Sequence, residues 1–457
     1  MRRLIVILSL LMALLVAAWA GGWPGSLLDE AAGSTSQTLC TKVFVSGLDP
    51  EDVFREHLLP EPGMWLIAWA VTRDVDRSRH EVRASIAGLF PRRAIYAEGR
   101  GCTLDYPGYL PPPALPPAPI VPPLLPAIAP AGIVTPSDPA LVAALDAAFA
   151  DPNHEGLNTK AVVVLHDGQL IAERYAPGYG PGTKLLAHSI TKSVVNALAG
   201  VLVRDGKLAV TERALVPAWQ GANDARAFIT IEQLMRMNAG FGFDEGGGSS
   251  AATQIWFRRP DTAGAAAEAR LLSSPGKRWG YSSRSYDLLA RIVEDRVGGT
   301  PQALRDFATR EVFGPLGMTS FTPEFDARGT MMGGQASLAT PRDWARFGQL
   351  YLDDGVVAGH RILPEGWVDL ARTARSGPDD TGEYYGSGWW VWGDDAGTFA
   401  AQGYEGQLVA VVPSLDLVLV RLGKTPIDHR PALFQFYRDV IAAFSPELTP
   451  DPTPDPQ

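Results

Sequence analysis

HSITKS, residues His188 to Ser193, runs directly into the apolar stretch VVNALAGVLV, residues 194–203. The apolar run marks a helix, and side chains three apart on a helix share a face. Ser189 and Lys192 therefore point the same way at the helix start. Two readings stand side by side. One is an N-cap serine followed by a solvated lysine in the first turn. The other is a nucleophile with its base, because a serine hydroxyl at neutral pH needs a base beside it. Lysine serves once it has lost its proton, and burial favours that loss. Bringing its pKa from about 10.4 to about 7 takes roughly 4–5 kcal/mol of differential stabilisation. A helix N-terminus adds the backbone N–H of Ser189 and a positive helix end, both suited to an oxyanion. The same spacing recurs at Ser274-Pro275-Gly276-Lys277. There Pro275-Gly276 forms a turn, so the two side chains do not share a helical face.

A third group is needed to pass protons between nucleophile, lysine and leaving group, and a tyrosine flanked by cations can do this. SPGKRWGYSSRSYDLLA, residues 274–290, offers Tyr281 in a tight loop before a helix, with Ser283 two residues on. Tyr281 also reads as a packed aromatic, since tyrosines are often partly buried. His188 reads as local packing, because no acidic residue is placed by the sequence to orient it. Trp389, Trp390 and Trp392 read as a strand packed on both faces, with a substrate wall as the lesser reading. The loop from Phe241 to Glu245, followed by GGGSS, is glycine-rich enough to rim a cleft.

Around these residues the pattern is α+β. SDPALVAALDAAFA is a capped helix with Pro139 in its first turn, and AVVVLHDGQLIAERY is a hairpin about His166-Asp167-Gly168. A helical middle follows. Strands return in SGWWVWGDD, GTFAAQG, GQLVAVVPS and LDLVLVRLG, and RPALFQFYRDVIAAF closes the domain as an amphipathic helix. The expected architecture is an α/β sandwich: one antiparallel sheet built from both ends of the domain at 137–446, with a helical subdomain inserted and the cleft between them. Ahead of it, residues 36–105 read as a small β-rich module through KVFVSGL, MWLIAWAVTRDV and RRAIYAEG. Residues 106–136 are too rich in proline for a helix or central strand. They form a semi-rigid linker or an arm laid over a neighbouring surface. Residues 447–457 read as a disordered tail.

The bulk numbers narrow the function. The chain has 457 residues, 46% hydrophobic and 20% charged, with a net charge of −10, which argues against nucleic-acid binding. Arg2 and Arg3 precede an apolar run from Leu4 to Ala20 that ends in Ala18-Trp19-Ala20, the layout of a secretory leader spanning residues 1–20. Retention as a membrane anchor is the alternative. Either way the protein is expected in the periplasm, secreted, or tethered to the inner membrane. The two cysteines, Cys40 and Cys102, read as one disulfide in an oxidising compartment, against two unpaired buried thiols. With no HExxH and no close histidine pair, no metal site or other cofactor is expected. The absence of G-x-S-x-G disfavours a nucleophile-elbow hydrolase. Oligomeric state is not readable.

Taken together, Ser189-Ile190-Thr191-Lys192 and Tyr281-Ser282-Ser283 resemble the first two motifs of the penicillin-recognising serine hydrolases. That superfamily includes class C β-lactamases, D-Ala-D-Ala carboxypeptidases, related esterases and 6-aminohexanoate-dimer hydrolases. DGKLAV, TIEQLMRMNAGF, FGPLGM and GGQASLATPRDWARFG add to the likeness, which covers roughly residues 137 to 445. Two departures shape what it implies. The family's second motif usually reads Y-x-N, and Ser283 in the third place resembles the 6-aminohexanoate-dimer hydrolase branch. In place of K-T-G, AAQGYEGQLVAVVP offers Gln402, Gly403 and Tyr404, with no lysine; Lys424-Thr425-Pro426 follows its strand and reads as a decoy. The resemblance implies catalytic roles for Ser189, Lys192, Tyr281 and Ser283. It also implies an oxyanion hole from the backbone N–H groups of Ser189 and Tyr404, and a small linear amide or ester as substrate. β-Lactamase or carboxypeptidase activity, and a non-catalytic envelope binding module, are the rivals.

Overall fold

The computed structural model describes residues 23–150, 156–214, 216–221, 223–243, 245, 249–377 and 382–444. The leader and the C-terminal tail lie outside these residues. Among the described residues no helix is long and apolar enough to cross a membrane.

The chain opens with helix α1 (Trp23–Cys40), which packs on a four-stranded antiparallel sheet, β1 (Val71–Asp76), β2 (Glu81–Ile86), β3 (Leu89–Ala97) and β4 (Gly101–Leu104). Leu39, Val82, Ala94 and Leu104 share its core. The module therefore starts before residue 36 and is half helical. KVFVSGL, expected as a strand, begins as a π-helical turn over Thr41–Val45, and MWLIAWA is helical over Met64–Ile67 and Ala68–Ala70. Short apolar runs do not declare their period, so strand and helix look alike there. Gly33, Ser34 and Thr35 weaken the helical signal of α1. Packing overrides that propensity: a Cβ on Gly33 would come within 2.6 Å of the Phe257 carbonyl oxygen.

Cys40 and Cys102 form a disulfide joining the end of α1 to β4. Beside it a buried carboxylate from the main domain, Glu324, accepts the Thr41 hydroxyl (2.7 Å), the Cys102 N–H (2.9 Å) and the Gln37 amide (3.2 Å). Burial pushes the Glu324 pKa up to about 7, against the pull of these donors. Gly101 permits the approach, since a Cβ there would lie 2.7 Å from the Glu324 side chain.

Residues 106–138 contain no helix or strand, and they are an arm on the main domain. Leu124 N–H donates to Pro315 O (2.7 Å), and Ile128 O and Val134 O accept from Leu170 and Glu173 N–H (both 2.8 Å). After the arm come α2 (Pro139–Phe149), β5 (Thr159–His166) and β6 (Gln169–Tyr175). Leu170 and Glu173 belong to β6, an edge strand, so the arm covers an edge that would otherwise be open.

The main domain continues through α3 (Ile190–Arg204), α4 (Ala251–Arg258), α5 (Ser283–Val297) and α6 (Pro341–Leu352). It returns as β7 (Tyr384–Tyr385), β8 (Trp390–Val391), β9 (Phe399–Gly403), β10 (Gln407–Val412), β11 (Leu417–Gly423) and α7 (Arg430–Ala442). The sheet order is β7-β8-β9-β10-β11-β5-β6, antiparallel throughout, with Val163 opposite Val420 where the two ends of the domain meet. Side chains alternate across it as a strand requires. Val163, Val409, Val411, Val418 and Val420 face α3 and α6, whereas Val162, Val164, Leu408, Ala410 and Leu419 face α2 and α7. This is the α/β sandwich the strand and helix order leads one to expect.

Replacing Cys40 and Cys102 together by alanine is expected to lower stability by about 2–4 kcal/mol. The measure is the denaturant midpoint of the oxidised protein against the double variant; equal midpoints would contradict it.

Candidate active site

Ser189 precedes the first residue of α3, yet its side chain makes no capping bond. Its hydroxyl instead accepts from Lys192 Nζ at 2.7 Å. The N-cap reading therefore fails. α3 is buried from Ile190 to Leu202, so Lys192 is 1% exposed at the centre of the domain. Nζ also donates to Gly334 O at 2.5 Å and lies 5.0 Å from the Tyr281 ring centroid.

Gly334 is held in turn. Its N–H donates to Asp287 Oδ1 (2.9 Å), and Asp287 Oδ2 accepts the Trp256 indole N–H (3.1 Å). Burial pushes the Asp287 pKa up to about 7, despite those two donors and the nearby Lys192 charge. Ser283, the first residue of α5, turns its hydroxyl to the same Gly334 carbonyl at 3.5 Å, and its N–H donates to Glu245 Oε1 at 2.8 Å.

Tyr281 is stacked on Trp390 (centroids 5.3 Å apart) and meets Tyr385 edge-on at 5.7 Å. Its hydroxyl interacts with Ser189 and Lys192. Burial raises the phenol's pKa; the Lys192 charge and the contacts with Ser189 and Lys192 pull it partway back, and Glu245 adds to the rise. For Lys192, burial opposes the charge, but Tyr281, Glu245 and Asp287 outweigh it and hold its pKa above the ordinary lysine value. A neutral amine at rest, as the sequence reading required, is thus corrected. Both shifts run toward the protonated forms, an ammonium beside a phenol, with burial the largest influence on each and Tyr281 the largest of those that raise Lys192.

β9 forms the opposite wall. A Cβ on Gly403 would sit 2.3 Å from Ala187 O and 3.2 Å from His188 Cβ, so glycine brings the strand against the Ser189 turn. The Gln402 amide is engaged by Glu383. Tyr404 is half exposed and donates its hydroxyl to Glu61 at 3.2 Å. A cavity of about 950 Å³ opens from Ser189, lined among others by Glu245, Trp279, Tyr281, Trp390 and Tyr404. Among the described residues no cluster of three or more His, Cys, Asp or Glu is placed to hold a metal ion.

Several readings change. His188 does have an acid: its Nε2 lies 3.5 Å from Glu405 Oε2. Lys424 lines the cavity and pairs with Glu405 (2.5 Å) and with Glu61, so it is not a bystander. Of the tryptophans, Trp389 is in the core and Trp392 packs on Phe434 and Tyr437, while Trp390 lines the cavity. The loop ending in Glu245 does rim the cavity, Glu405 is buried in its turn, and Asp287, Gly334 and Glu61 were not singled out from the sequence. Only Asp287 carried a signal there, one helical turn beyond Ser283.

The Beta-lactamase family profile matches residues 145–443, well over half the chain, and the protein belongs to that family. It is a serine hydrolase with the β-lactamase fold. It is 27% identical over 290 residues to the 6-aminohexanoate-dimer hydrolase of Paenarthrobacter ureafaciens, covering 59% of this chain and 73% of that one. Among solved structures, a Bacillus anthracis protein provisionally described as a 6-aminohexanoate-dimer hydrolase superposes with a TM-score of 0.56 at 23% identity, over 62% of this chain and 79% of that one. A penicillin-binding protein homologue of Caulobacter crescentus gives 0.54 at 18% identity, over 68% and 98%.

Because Lys192 and Tyr281 both keep their protons above their ordinary pKa values, one proton must leave the pair before it can accept that of Ser189. The fraction in that basic form grows with pH. Accordingly kcat/KM for an uncharged ester should climb between about pH 7 and about pH 9. A profile that is flat or falls over this range would contradict the assigned charge states.

Proposed function

We propose that the protein is an exported hydrolase that cleaves small linear amides or esters through an acyl-serine intermediate. Ser189 Oγ attacks the substrate carbonyl. The deprotonated Lys192–Tyr281 pair takes the serine proton and passes it to the leaving amine or alkoxide. The carbonyl oxygen, negative in the tetrahedral intermediate, is received by the backbone N–H groups of Ser189 and Tyr404. Water then attacks the acyl carbon, loses its proton to the same pair, and frees Ser189. Ser283 and Lys192 share the Gly334 carbonyl, which gives Ser283 a positioning part.

The observation that carries this reading is the Lys192 Nζ bond to Ser189 Oγ, with no cap bond competing for the hydroxyl, at the edge of an aromatic cavity. The likeness to the 6-aminohexanoate-dimer hydrolase supports an amide or ester of a linear acid as substrate. The Cys40–Cys102 bond supports an oxidising compartment, in keeping with a leader at residues 1–20.

Ser189→Ala should lower turnover of p-nitrophenyl butyrate by about a thousandfold or more and abolish labelling by a fluorophosphonate probe. Labelling that survives in the variant would move the nucleophile elsewhere.

A further inference from the structure

The cavity that opens from Ser189 is not made by the main domain alone. Arg55, Glu56, Pro60 and Pro62 of the N-terminal module line it as well. Between the two prolines, Glu61 reaches across the boundary between module and main domain. It pairs with Lys424 and accepts the Tyr404 hydroxyl. Lys424 also pairs with Glu405, and its Nζ lies 5.8 Å from the Tyr404 ring centroid. Tyr404 follows Gly403, the residue that packs against the Ser189 turn, and Tyr404, Glu405 and Lys424 line the same cavity as Ser189.

Three cations line the cavity wall: Arg55, Lys424 and Arg430. Each already has a carboxylate. Arg55 pairs with Asp52 (2.6 Å) and Glu56 (3.3 Å), Arg430 with Glu383 (2.9 Å), and Lys424 with two acids at once. A substrate carboxylate entering here finds each lining cation already paired and meets the carboxylates of Glu61 and Glu405, whose other cationic neighbour, Lys42, is buried behind them. Displacing a buried carboxylate from Lys424 would leave that carboxylate unpaired, which is costly. An uncharged chain meets aromatic and aliphatic side chains such as Trp279, Trp390, Phe434 and Leu433 and displaces no ion pair.

Resting on the hydrolase reading above, we propose that Glu61 makes the N-terminal module the specificity wall of the cleft. By occupying Lys424 it excludes substrates that carry a carboxylate on the chain entering the cleft and admits uncharged ones. Specificity here comes from a repulsive element as much as from attraction.

The test uses the full chain and two esters with acyl chains of matched length, p-nitrophenyl pentanoate and p-nitrophenyl hydrogen glutarate. The wild type should prefer the pentanoate by about tenfold or more in kcat/KM, because like charges are juxtaposed with the glutarate. Glu61→Gln keeps a hydrogen-bonding group and removes the charge. It should shrink that preference by about fivefold or more, chiefly through a lower KM for the glutarate. Adding Lys424→Met to Glu61→Gln should restore the discrimination, since the cation relieved of one of its two acids is then gone. Equal wild-type kcat/KM on both esters overturns the proposal, even if the variants fail to fold. So does an unchanged ratio in a folded Glu61→Gln. Failure of the wild type to cleave the pentanoate at all, with the fold intact, removes the hydrolase reading, and this inference with it.

Discussion

The Lys192 ammonium has three N–H directions to satisfy in a place without solvent. The Ser189 hydroxyl and the Gly334 carbonyl fill two of them, and Tyr281 presents its ring nearby. A buried cation lacking such partners would be ruinous, so everything that fixes Gly334 also fixes the serine. Asp287 does this from α5 and is itself held by Trp256 from α4. The nucleophile is thus positioned by a chain of bonds running through the helical subdomain, while β9 approaches it from the sheet. The cleft exists because those two bodies meet at a glycine on one side and a lysine on the other.

The N-terminal module joins the same scheme through charge. Glu324 receives it at one end and Lys424 at the other, where Glu61 arrives. Burial raises the Glu324 pKa to about 7, whereas the Lys424, His188 and Lys42 charges overcome burial and hold Glu405 well below the usual carboxylate range. One contact is therefore tolerant of neutralisation and the other depends on charge. The Pro-rich arm offers its backbone: Ile128 O and Val134 O accept from β6, Val134 N–H donates to the Glu173 carboxylate, and Pro130 O and Gly132 O accept from Arg342.

Much of this was legible from residues alone, for a physical reason. Ser189, Lys192, Tyr281 and Ser283 lie in local patterns, a helix entry and a tight turn, whose spacing fixes their direction. The strands of the main sheet alternate cleanly enough that Val162 and Val163 sort to opposite cores. Glu245, Gly334, Glu405 and Glu61 reach the site only when distant segments close on one another, and no periodicity encodes that. Lys424 does follow its strand, as its sequence position indicates, but its place on the cavity wall depends on partners from a turn after β9 and from another module. Helix α1 was missed because glycine, serine and threonine sit where only its neighbours make a helix worthwhile. Burial of Lys192 was visible in its apolar surroundings, whereas the opposing pull of Tyr281, Glu245 and Asp287 depends on how closely they approach it in space.

The pairing of β5 with β11 has a consequence for how the protein is made. These central strands are neighbours in the sheet, yet almost the whole main domain separates them along the chain. During synthesis, β5 emerges long before its partner exists and waits with one edge unsatisfied. α1, β4 and their disulfide need no such delay, since all their parts arrive early and close together. Biogenesis should therefore run in two stages, a stapled N-terminal piece first and a late, nearly all-at-once closure of the catalytic sheet, the slow kind of topology. Chaperone dependence would be concentrated in the interval between them.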